Sequence, residues 1–376
     1  MKHILIISFW NPTLKEPGKG IFIHEQINAV CKNRNDVVFL EVNVISSNKA
    51  LFSINLEENP LYLSKKISIT IKSLWWKFIY LNPWLIYFIL RKILYKKYAW
   101  LTFEIIHSNV IFPCAIVGHF LSKKYNSKHI ISEHWSKAEK ILKHPIYGSI
   151  ALKTYRDSKA ILCVSNFLAT KIKSATGNTN IKIVPNIIDT KLFRYIPKHL
   201  ENPGELYFTC VAKWEKPKRL DLIINSLLTF ACETNKSLNL NVVGDGVQKE
   251  DFVWVKYPNN LKINWLGHIN KTQIATILGQ TDVFMHASEI ETFSIVTVEA
   301  LSTGTPVLAS NVGALPEIIN SNNGILVENT LDAWFKGLHE IIVQKFDNKV
   351  IATENRDKFS PDSVAKSIGE IYNINL

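Results

Sequence analysis

The sequence has few cysteines, and none of them is spaced as in a metal site. The five cysteines among 376 residues are scattered along the chain and form no Cys-x-x-Cys motif. An odd number of separated thiols disfavours both a disulfide framework and a zinc site, and is typical of a reducing compartment. We therefore expect reduced core thiols at Cys31, Cys114, Cys163, Cys210 and Cys232.

The sequence also lacks an apolar run long enough to cross a membrane. Its longest uncharged run, residues 78–90, is interrupted by Asn82 and Pro83 and falls short of the roughly 20 residues that a bilayer requires. The apolar stretch at residues 3–9 has strand length, no small-residue cleavage site and a following proline-glycine loop. We predict a first β-strand there, not a signal peptide.

Motifs for two common ligand classes are missing as well. The glycines after the first predicted strand are spaced Gly18-Lys19-Gly20 instead of G-x-G-x-x-G, which disfavours a Rossmann dinucleotide site. No RNA-binding motif, short repeat or low-complexity tract is present. We expect no nucleic-acid partner.

The positive charge is concentrated in the first half of the chain. Residues 1–200 contain 29 Lys and Arg against 11 Asp and Glu, whereas residues 201–376 contain 15 against 21. A uniformly basic nucleic-acid-binding protein would not divide in this way. The asymmetry indicates that one half of the protein faces something anionic.

Two series of strand-length apolar runs indicate two α/β domains. Helical stretches lie between the runs, and this alternation predicts a doubly wound parallel sheet in each domain. Residues 196–204 (IPKHLENPG) separate the series and have the composition of a linker. We predict an N-terminal domain at 1–198, a C-terminal domain at 199–357, and a closing helix in 358–376 that packs back on the first domain.

Residues 61–103 form a basic aromatic segment. The segment contains eight Lys and Arg and no Asp or Glu, interleaved with Trp, Tyr and Phe. Cations together with indole and phenol rings suit an interfacial helix on an anionic membrane surface. A pair of core helices with solvated lysines is the structural alternative, and stacking on RNA is a weaker one. We favour contact with a membrane.

Candidate chemical groups follow several predicted strands. Ligands of open α/β sheets bind at the carboxyl ends of strands, beside helix N-termini. In the C-terminal domain, Lys213 and Lys218 follow the first strand, Gly244 opens a glycine turn after the second, and Glu291 and Glu299 follow a later one. Two lysines beside a glycine turn can hold a diphosphate, and a carboxylate can accept hydrogen bonds from sugar hydroxyls.

The N-terminal domain offers a second set of candidates. Gly18 and Gly20 lie between the first strand and the first helix, while His107 and His134 lie at the ends of later strands. A glycine loop there lets backbone amides approach an anion. Each feature alone also fits a structural role, namely a plain turn or a buried histidine. Their joint occurrence at strand ends favours a binding site.

The segment 282–311, DVFMHASEIETFSIVTVEALSTGTPVLASN, resembles the donor-site signature of family 4 (group 1) retaining glycosyltransferases. That signature pairs two glutamates with seven residues between them, as in Glu291 and Glu299. Residues 182–193 (KIVPNIIDTKLF), 211–227 (VAKWEKPKRLDLIINSL) and 242–247 (VVGDGV) resemble further elements of the family. The similarity extends over most of the chain and implies the GT-B fold, with two Rossmann-like domains facing a cleft.

The resemblance also implies roles for the matching residues. Lys213 and Lys218 would clamp the donor diphosphate, Glu291 would bind hydroxyls of the transferred sugar, and His134 would lie near that sugar. Glu299 would hold the nucleotide ribose. Amides at the helix start and glycines in the loops would approach the sugar and phosphates. These further donor-binding residues are Phe293, Ser294, Ile295, Val296, Gly18, Gly20 and Gly244.

The family pattern implies a retaining transfer without a protein-bound metal or cofactor. The sequence contains no Asp-x-Asp pair, so the usual carboxylate clamp for a metal-bound nucleotide is missing. Four glycine or arginine positions of the pattern are replaced here. Lys213 replaces an arginine and loses its bidentate fork, and Ser294 replaces a glycine and adds a side chain beside the donor sugar. The other two departures are Arg219 and Ile187.

The sequence therefore predicts a glycosyltransferase that moves a sugar from a nucleotide sugar to a lipid-linked or membrane-surface glycan, as in surface polysaccharide synthesis. We expect it in the cytoplasm, peripheral on the inner face of the membrane. Two alternatives remain open: a non-catalytic protein of the same fold that binds a nucleotide sugar or scaffolds a partner, and a sugar-nucleotide epimerase. The donor, the acceptor and the oligomeric state are left undetermined.

Overall fold

The computed structural model describes residues 2–13, 16, 18–47, 51–197 and 204–373. The chain divides into two compact units: the first comprises Met1–Ile187 and Pro361–Leu376, and the second comprises Ile188–Ser360. The predicted linker falls largely on residues 198–203, which lie outside the described residues. The division between the units comes earlier, after Ile187.

One eight-stranded sheet forms the centre of the first unit. Its strands are β1 (Lys2–Ser8), β2 (Val37–Ser46), β3 (Phe52–Leu61), β4 (Ser64–Ser73), β5 (Thr102–Asn109), β6 (Lys128–Glu133), β7 (Ala160–Cys163) and β8 (Ile181–Ile183). The strand order is β3-β4-β2-β1-β5-β6-β7-β8. Every neighbouring pair is parallel except the antiparallel pair of β3 and β4.

Helices cover both faces of this sheet. They are α1 (Ile21–Cys31), α2 (Trp76–Tyr80), α3 (Pro83–Lys97), α4 (Ile116–Tyr125), α5 (Ala138–Leu142), α6 (Gly148–Asp157) and α7 (Asn166–Thr176). Along β1, Ile4 and Ile6 belong to the core that contains α1, whereas Leu5 and Ile7 belong to the core that contains α3 and α4. Burial on both faces explains why β1 is a continuous apolar run without polar alternation.

The first part of the basic aromatic segment is a strand, so the expectation of helix is wrong for residues 64–73. In β4 the residues Ile67, Ile69 and Ile71 are buried, and they alternate with polar residues. This period of two is typical of a strand, and it outweighs the run of lysines around it. The sequence-based interpretation also missed β3, which pairs with β4 at the edge of the sheet.

The second unit contains a six-stranded sheet in which every neighbouring pair is parallel. Its strands are β9 (Glu205–Val211), β10 (Ser237–Val243), β11 (Leu261–Gly267), β12 (Val283–His286), β13 (Val307–Ser310) and β14 (Gly324–Val327). The order is β11-β10-β9-β12-β13-β14. Five helices follow the strands: α8 (Leu220–Glu233), α9 (Lys271–Gln280), α10 (Ile295–Ser302), α11 (Leu331–Val343) and α12 (Asn348–Phe359).

The chain ends in α13 (Pro361–Asn373), which belongs to the first unit. Its apolar residues Val364, Ile368 and Ile371 lie in the same core as those of α1. Arg34 donates a hydrogen bond to Asn373 at 3.1 Å. The predicted class, two α/β units with doubly wound parallel sheets, is confirmed.

Candidate functional site

A cluster of polar side chains lies where β12 ends in the second unit. His286 is the last residue of β12, Glu291 lies in the loop that follows, and α10 begins at Ile295. Lys218 comes from the loop between β9 and α8 and forms a bridge with Ser288 of the β12 loop. Neighbouring strands of a parallel sheet thus deliver these groups to one edge, as the sequence predicts for this type of fold.

Backbone hydrogen bonds fix the position of Glu291. Its carbonyl oxygen accepts from the amide of Ala314 at 3.0 Å. Gly313 has a φ of 59°, and a Cβ there would lie 2.1 Å from the same oxygen, so a larger residue would displace the loop. On the other side, the amide of Glu289 donates to the carbonyl of Pro217 at 2.8 Å. Glu291 is therefore held between two neighbouring loops.

Lys218 and Glu291 form an ion pair. The Nζ of Lys218 contacts the Oε1 of Glu291, and the two side chains are 20% and 12% exposed. An ion pair at this depth is only partly screened by water. The structure thus brings together two of the predicted site residues as a cation and an anion.

His286 completes this cluster and was not among the predicted site residues. Its Nε2 lies 2.9 Å from the Oε1 of Glu291, 3.2 Å from the Oγ of Ser294 and 3.4 Å from the Nζ of Lys218. The sequence placed this histidine inside an apolar strand. Only its position as the last residue of that strand could have indicated a role.

The pKa values of the cluster differ from their ordinary values for identifiable reasons. Burial opposes the charged form of Glu291, but the hydrogen bond from His286 and the charge of Lys218 outweigh it and lower the pKa of Glu291 to about 2. Burial, reinforced by the charge of Lys218, lowers the pKa of His286. At pH 7 the cluster therefore contains a carboxylate, an ammonium group and a neutral imidazole.

The N-terminus of α10 points its first amides toward the end of the β12 loop. The residue before the helix, Ser294, has a φ of 75°, and its Oγ lies 2.8 Å from the Oγ1 of Thr297. Helix N-termini carry unsatisfied N–H groups and attract anions. Ile295 and Val296 provide such amides, as predicted. Glu299 lies one turn further along α10 and is buried, with 5% of its surface exposed.

Lys213 lies apart from this ion pair in its contacts. Its side chain is 72% exposed and pairs with Glu215 at 3.0 Å. It lines a surface cleft of about 600 Å³ together with Asp245, Gly246 and His268. The described contacts show no bond between Lys213 and the Lys218 cluster.

The glycine turn after β10 packs against the loop that carries Lys213. Gly244 has a φ of 97°, and a Cβ there would lie 1.9 Å from the carbonyl oxygen of Ala212. Gly246 approaches the backbone of Trp214 in the same way. The two loops can pack this closely only because the turn has no side chains at these positions.

The candidates of the first unit are more buried than those of the second. His134 follows β6 and is 8% exposed, and its ring lies 4.8 Å from that of Phe22. Burial, opposed by a hydrogen bond with Asn186, lowers the pKa of His134 to about 4. A neutral imidazole at this place can exchange hydrogen bonds but carries no charge at pH 7.

Glu133, directly before His134, is a buried carboxylate that the sequence-based interpretation did not single out. Its two oxygens accept from the amides of His134, Trp135 and Ile111 at 2.9–3.0 Å and from the hydroxyl of Tyr155 at 2.6 Å. Burial raises the pKa of Glu133, while these donors oppose that effect. Because all four contacts donate, they match a carboxylate and fix the loop after β6.

The other candidates of the first unit have structural partners. His107 bonds to the hydroxyl of Tyr372 at 2.5 Å through Nδ1 and to the Oγ of Ser132 at 2.7 Å through Nε2. Gly20 has a φ of 65°, and a Cβ there would lie 2.0 Å from the carbonyl oxygen of Trp10. A Cβ at Gly18 would meet no atom within 4 Å. Gly20 is thus required by the fold of its loop, whereas Gly18 leaves open space.

Helices α2 and α3 carry the remainder of the basic aromatic segment. Ile86, Leu90 and Leu94 of α3 are buried in the core. Their outer side exposes aromatic rings beside cations, namely Trp75, Phe78, Trp84, Phe88, Tyr95, Trp100, Lys77, Arg91, Lys92, Lys96 and Lys97. We call this set the α2–α3 surface. Within the described part of the chain, no helix is both long and apolar enough to span a bilayer.

Two family models match consecutive parts of the chain. The model described as Glycosyltransferase Family 4 matches residues 41–192, and the model described as Glycosyl transferases group 1 matches residues 193–359. The second match contains the Lys218 and Glu291 cluster, the cleft beside Lys213 and all of α10.

Similar curated proteins include glycosyltransferases from several kingdoms. An uncharacterized glycosyltransferase of Methanocaldococcus jannaschii is 27% identical over 72% of this chain and 75% of that protein. A human protein of the phosphatidylinositol N-acetylglucosaminyltransferase is 26% identical over 53% of this chain and 41% of its own length. Apart from the archaeal protein, the matches extend over about half the length of the relatives.

Solved structures share the whole fold at low sequence identity. Sucrose-phosphate synthase from Thermosynechococcus elongatus has a TM-score of 0.71 and 17% identity, with coverage of 99% of this chain and 98% of that one. Anabaena HepE, solved in complex with UDP, has a TM-score of 0.71 and 16% identity, with 99% coverage of both chains. These neighbours are GT-B glycosyltransferases, so the predicted fold is confirmed. The chain belongs to the group 1 (family 4 type) glycosyltransferases.

Proposed function

We propose that this glycosyltransferase moves a sugar, with retention of its anomeric configuration, from a nucleotide-sugar donor to a lipid-linked or membrane-surface glycan. The observation that carries the donor half is the pairing of Lys218 with Glu291 beside the N-terminus of α10. A nucleotide sugar contains a diphosphate and neutral hydroxyls, and this cluster offers a cation, amides and a carboxylate that match both.

The roles of the individual donor groups follow from their chemistry. Lys218 and the amides of Ile295 and Val296 stabilise negative charge on the diphosphate as it leaves. Glu291 is ionised and accepts hydrogen bonds from sugar hydroxyls. Lys213 is exposed on a flexible stem and supplies a second cation once the donor displaces Glu215.

Further positions place the rest of the donor. Glu299, buried in α10, holds the ribose, and Phe293 and Ser294 border the sugar through their backbone. Gly244 lets the glycine turn approach the nucleotide. In the first unit, His134 contributes a neutral hydrogen-bonding group near the sugar, and the loop of Gly18 and Gly20 approaches the phosphates. Their described surroundings are consistent with these roles: the histidine is neutral and Gly18 borders open space.

A relative acts on a lipid-borne substrate, which supports the acceptor half of the proposal. A Mycobacterium tuberculosis protein that is 24% identical over 50% of this chain is named as a GDP-mannose-dependent phosphatidylinositol dimannoside mannosyltransferase. The α2–α3 surface of this chain combines exposed rings with cations, a composition that binds anionic lipid interfaces. We propose a peripheral position on the inner face of the cytoplasmic membrane, in surface polysaccharide or glycoconjugate synthesis.

A ligand screen tests the donor assignment. Thermal-shift measurements with UDP-, GDP-, dTDP- and ADP-sugars should identify one nucleotide class that raises the melting temperature, because binding to the native state stabilises it. Donor turnover should then require an acceptor and should be unchanged by EDTA, since no metal takes part in this proposal. An absence of shift with all four classes contradicts the proposal, and turnover without any acceptor indicates the epimerase alternative.

Vesicle binding tests the proposed membrane contact. The double variant K92Q/K96Q should bind anionic vesicles at least roughly tenfold more weakly than the parent protein, at about 1 kcal/mol for each lost cation. The matched control K349Q/K358Q removes two exposed cations from α12 and should bind like the parent. Equal binding by both double variants, or binding that does not weaken with salt, contradicts membrane contact through the α2–α3 surface.

A further inference from the structure

His286 is the member of the Lys218 and Glu291 cluster that has no role in the proposed transfer. It is 2% exposed and fixed at the end of β12, where its ring stacks with that of Phe284 at 6.2 Å between centroids. Three polar groups surround a single atom of this ring, Nε2. Such a concentration of contacts on one nitrogen constrains what the imidazole can do.

The shortest of these contacts determines where the proton lies. A carboxylate can only accept, so the 2.9 Å contact between Nε2 and the Oε1 of Glu291 requires a proton on Nε2. In this tautomer the 3.4 Å approach of the Lys218 Nζ joins two donors and is not a hydrogen bond. His286 is therefore a neutral donor to Glu291, and the Oγ of Ser294 at 3.2 Å is a second acceptor.

Lys218 and His286 bind the same carboxylate oxygen of Glu291. A donor diphosphate that attracts Lys218 would remove the cation from a carboxylate that is only 12% exposed. A buried carboxylate without a partner is costly, and its side chain would also be free to turn away. The N–H of His286 remains as a partner because a neutral imidazole is not attracted by the diphosphate.

We propose that His286 is a positioning residue that keeps Glu291 in place while Lys218 moves from that carboxylate to the donor diphosphate. This inference rests on the proposed function and deepens it. It predicts that His286 matters for the use of the sugar, which Glu291 contacts, and much less for binding of the nucleoside diphosphate, which Lys218 contacts.

Two substitutions separate the donor N–H from the bulk of the ring. H286Q places an amide N–H at a reach similar to that of Nε2, whereas H286L keeps apolar volume and removes the donor. With the nucleotide sugar that gives the largest thermal shift as substrate, H286L should lose at least about tenfold in kcat/KM. Its affinity for the corresponding nucleoside diphosphate should stay within about threefold of the parent, and H286Q should recover most of the lost turnover.

The acid side of the pH profile provides a readout that a purely structural role would not move. Among the described residues, the charged groups that face His286 are Lys218 from the β9 loop and Glu291 from the β12 loop. Removal of the imidazole donor should raise the pKa of Glu291, so the acidic limb of kcat/KM should move to higher pH in H286L. H286Q should retain the limb of the parent protein.

Histidine nitrogen NMR tests the tautomer without any ligand. In uniformly ¹⁵N-labelled protein, the His286 signals, identified by their absence in H286Q, should show a neutral ring with the proton on Nε2 at pH 7. A proton on Nδ1 or a charged ring overturns the proposal, even if H286L fails to fold. Equal turnover and equal acidic limbs in the parent and a folded H286L also overturn it. A parent protein that uses no nucleotide sugar contradicts the proposed function instead.

Discussion

Glu133 in the first unit and Glu291 in the second are both buried carboxylates at the end of a parallel strand, but their partners differ. Glu133 accepts from three backbone amides and one tyrosine hydroxyl, none of which carries a charge. Glu291 contacts the ammonium group of Lys218 and the imidazole of His286. The first carboxylate is fixed by the chain itself, and the second by side chains that can exchange partners.

This difference separates a structural carboxylate from a functional one. Backbone donors cannot leave Glu133 without unfolding the loop after β6, so its charge is committed to that loop. Lys218 can move toward an anion because its long side chain is flexible and partly exposed. Burial and location at a strand end therefore do not identify a site residue by themselves. The identity of the counter-charge does.

The largest expected effect is the loss of turnover when the Lys218 and Glu291 pair is broken. K218M and E291Q should each lower kcat/KM for the donor by roughly 10²–10³, the range found when a group that stabilises transition-state charge is removed. K218M should also weaken binding of the nucleoside diphosphate, whereas E291Q should not. Steady-state transfer assays and calorimetry measure both. Parent-like turnover in either variant contradicts the site.

The corresponding change at Glu133 should affect stability and leave the donor site intact. E133Q presents an NH₂ group to donors and leaves at least one buried amide without an acceptor, which should cost about 2–4 kcal/mol in the free energy of unfolding. Urea denaturation measures the loss. Binding of the nucleoside diphosphate to folded E133Q should match that of the parent.

A milder variant at the same carboxylate provides the control for this prediction. Y155F removes one of the four donors and retains the packing of a fully buried ring, so it should cost about 1 kcal/mol. A loss in Y155F as large as that in E133Q would show that packing of the ring, and not the donor count, holds the loop.

The parallel sheets could be predicted because their strands are short apolar runs with polar ends. The antiparallel pair at residues 52–73 could not be recognised by the same criterion. β3 is largely exposed, contains Pro60 and has few apolar residues, and β4 is interspersed with lysines. The alternation of Ile67, Ile69 and Ile71 was visible in the sequence, but the surrounding charge concealed it.

The candidate site was predictable in its components and not in its contacts. Spacing and resemblance located Lys218, Glu291 and the start of α10. The proximity of His286 depends on the direction of one side chain at a strand end, which no motif specifies. The same limit applies to Gly20, whose conformation is set by the backbone of Trp10. Sequence patterns specify which strand end carries a group, whereas packing decides what that group contacts.

Acid should destabilise the first unit before the second. Burial lowers the pKa of His107 and His129 to about 3 and that of His134 to about 4, compared with 6.5 in an unfolded chain. The unfolded state therefore binds more protons below pH 6.5, and stability falls as the pH drops from about 6.5 toward 4, at roughly 1.4 kcal/mol per pH unit for each histidine.

The second unit has fewer groups of this kind. Among its described residues, His286 is the histidine with a lowered pKa. The stabilisation by ionised Glu291 persists down to its unfolded pKa of about 4.5 and is lost only as the pH falls toward 2. Proteolysis at pH 7 and pH 5, followed by mass spectrometry of the fragments, should detect cleavage in residues 2–187 first. Earlier cleavage in the second unit contradicts this assignment.

The smallest expected effect on stability is that of S294G, although it alters the residue that distinguishes this donor loop from the family pattern. Glycine relieves the positive φ of 75°, worth about 1 kcal/mol, and removes the Oγ contacts to His286 and Thr297, worth a similar amount. The free energy of unfolding should therefore change by less than about 1 kcal/mol. The ratio of kcat/KM values among sugars on one nucleotide should change, because the side chain beside the proposed sugar position is gone. An unchanged ratio would show that Ser294 serves only to support His286.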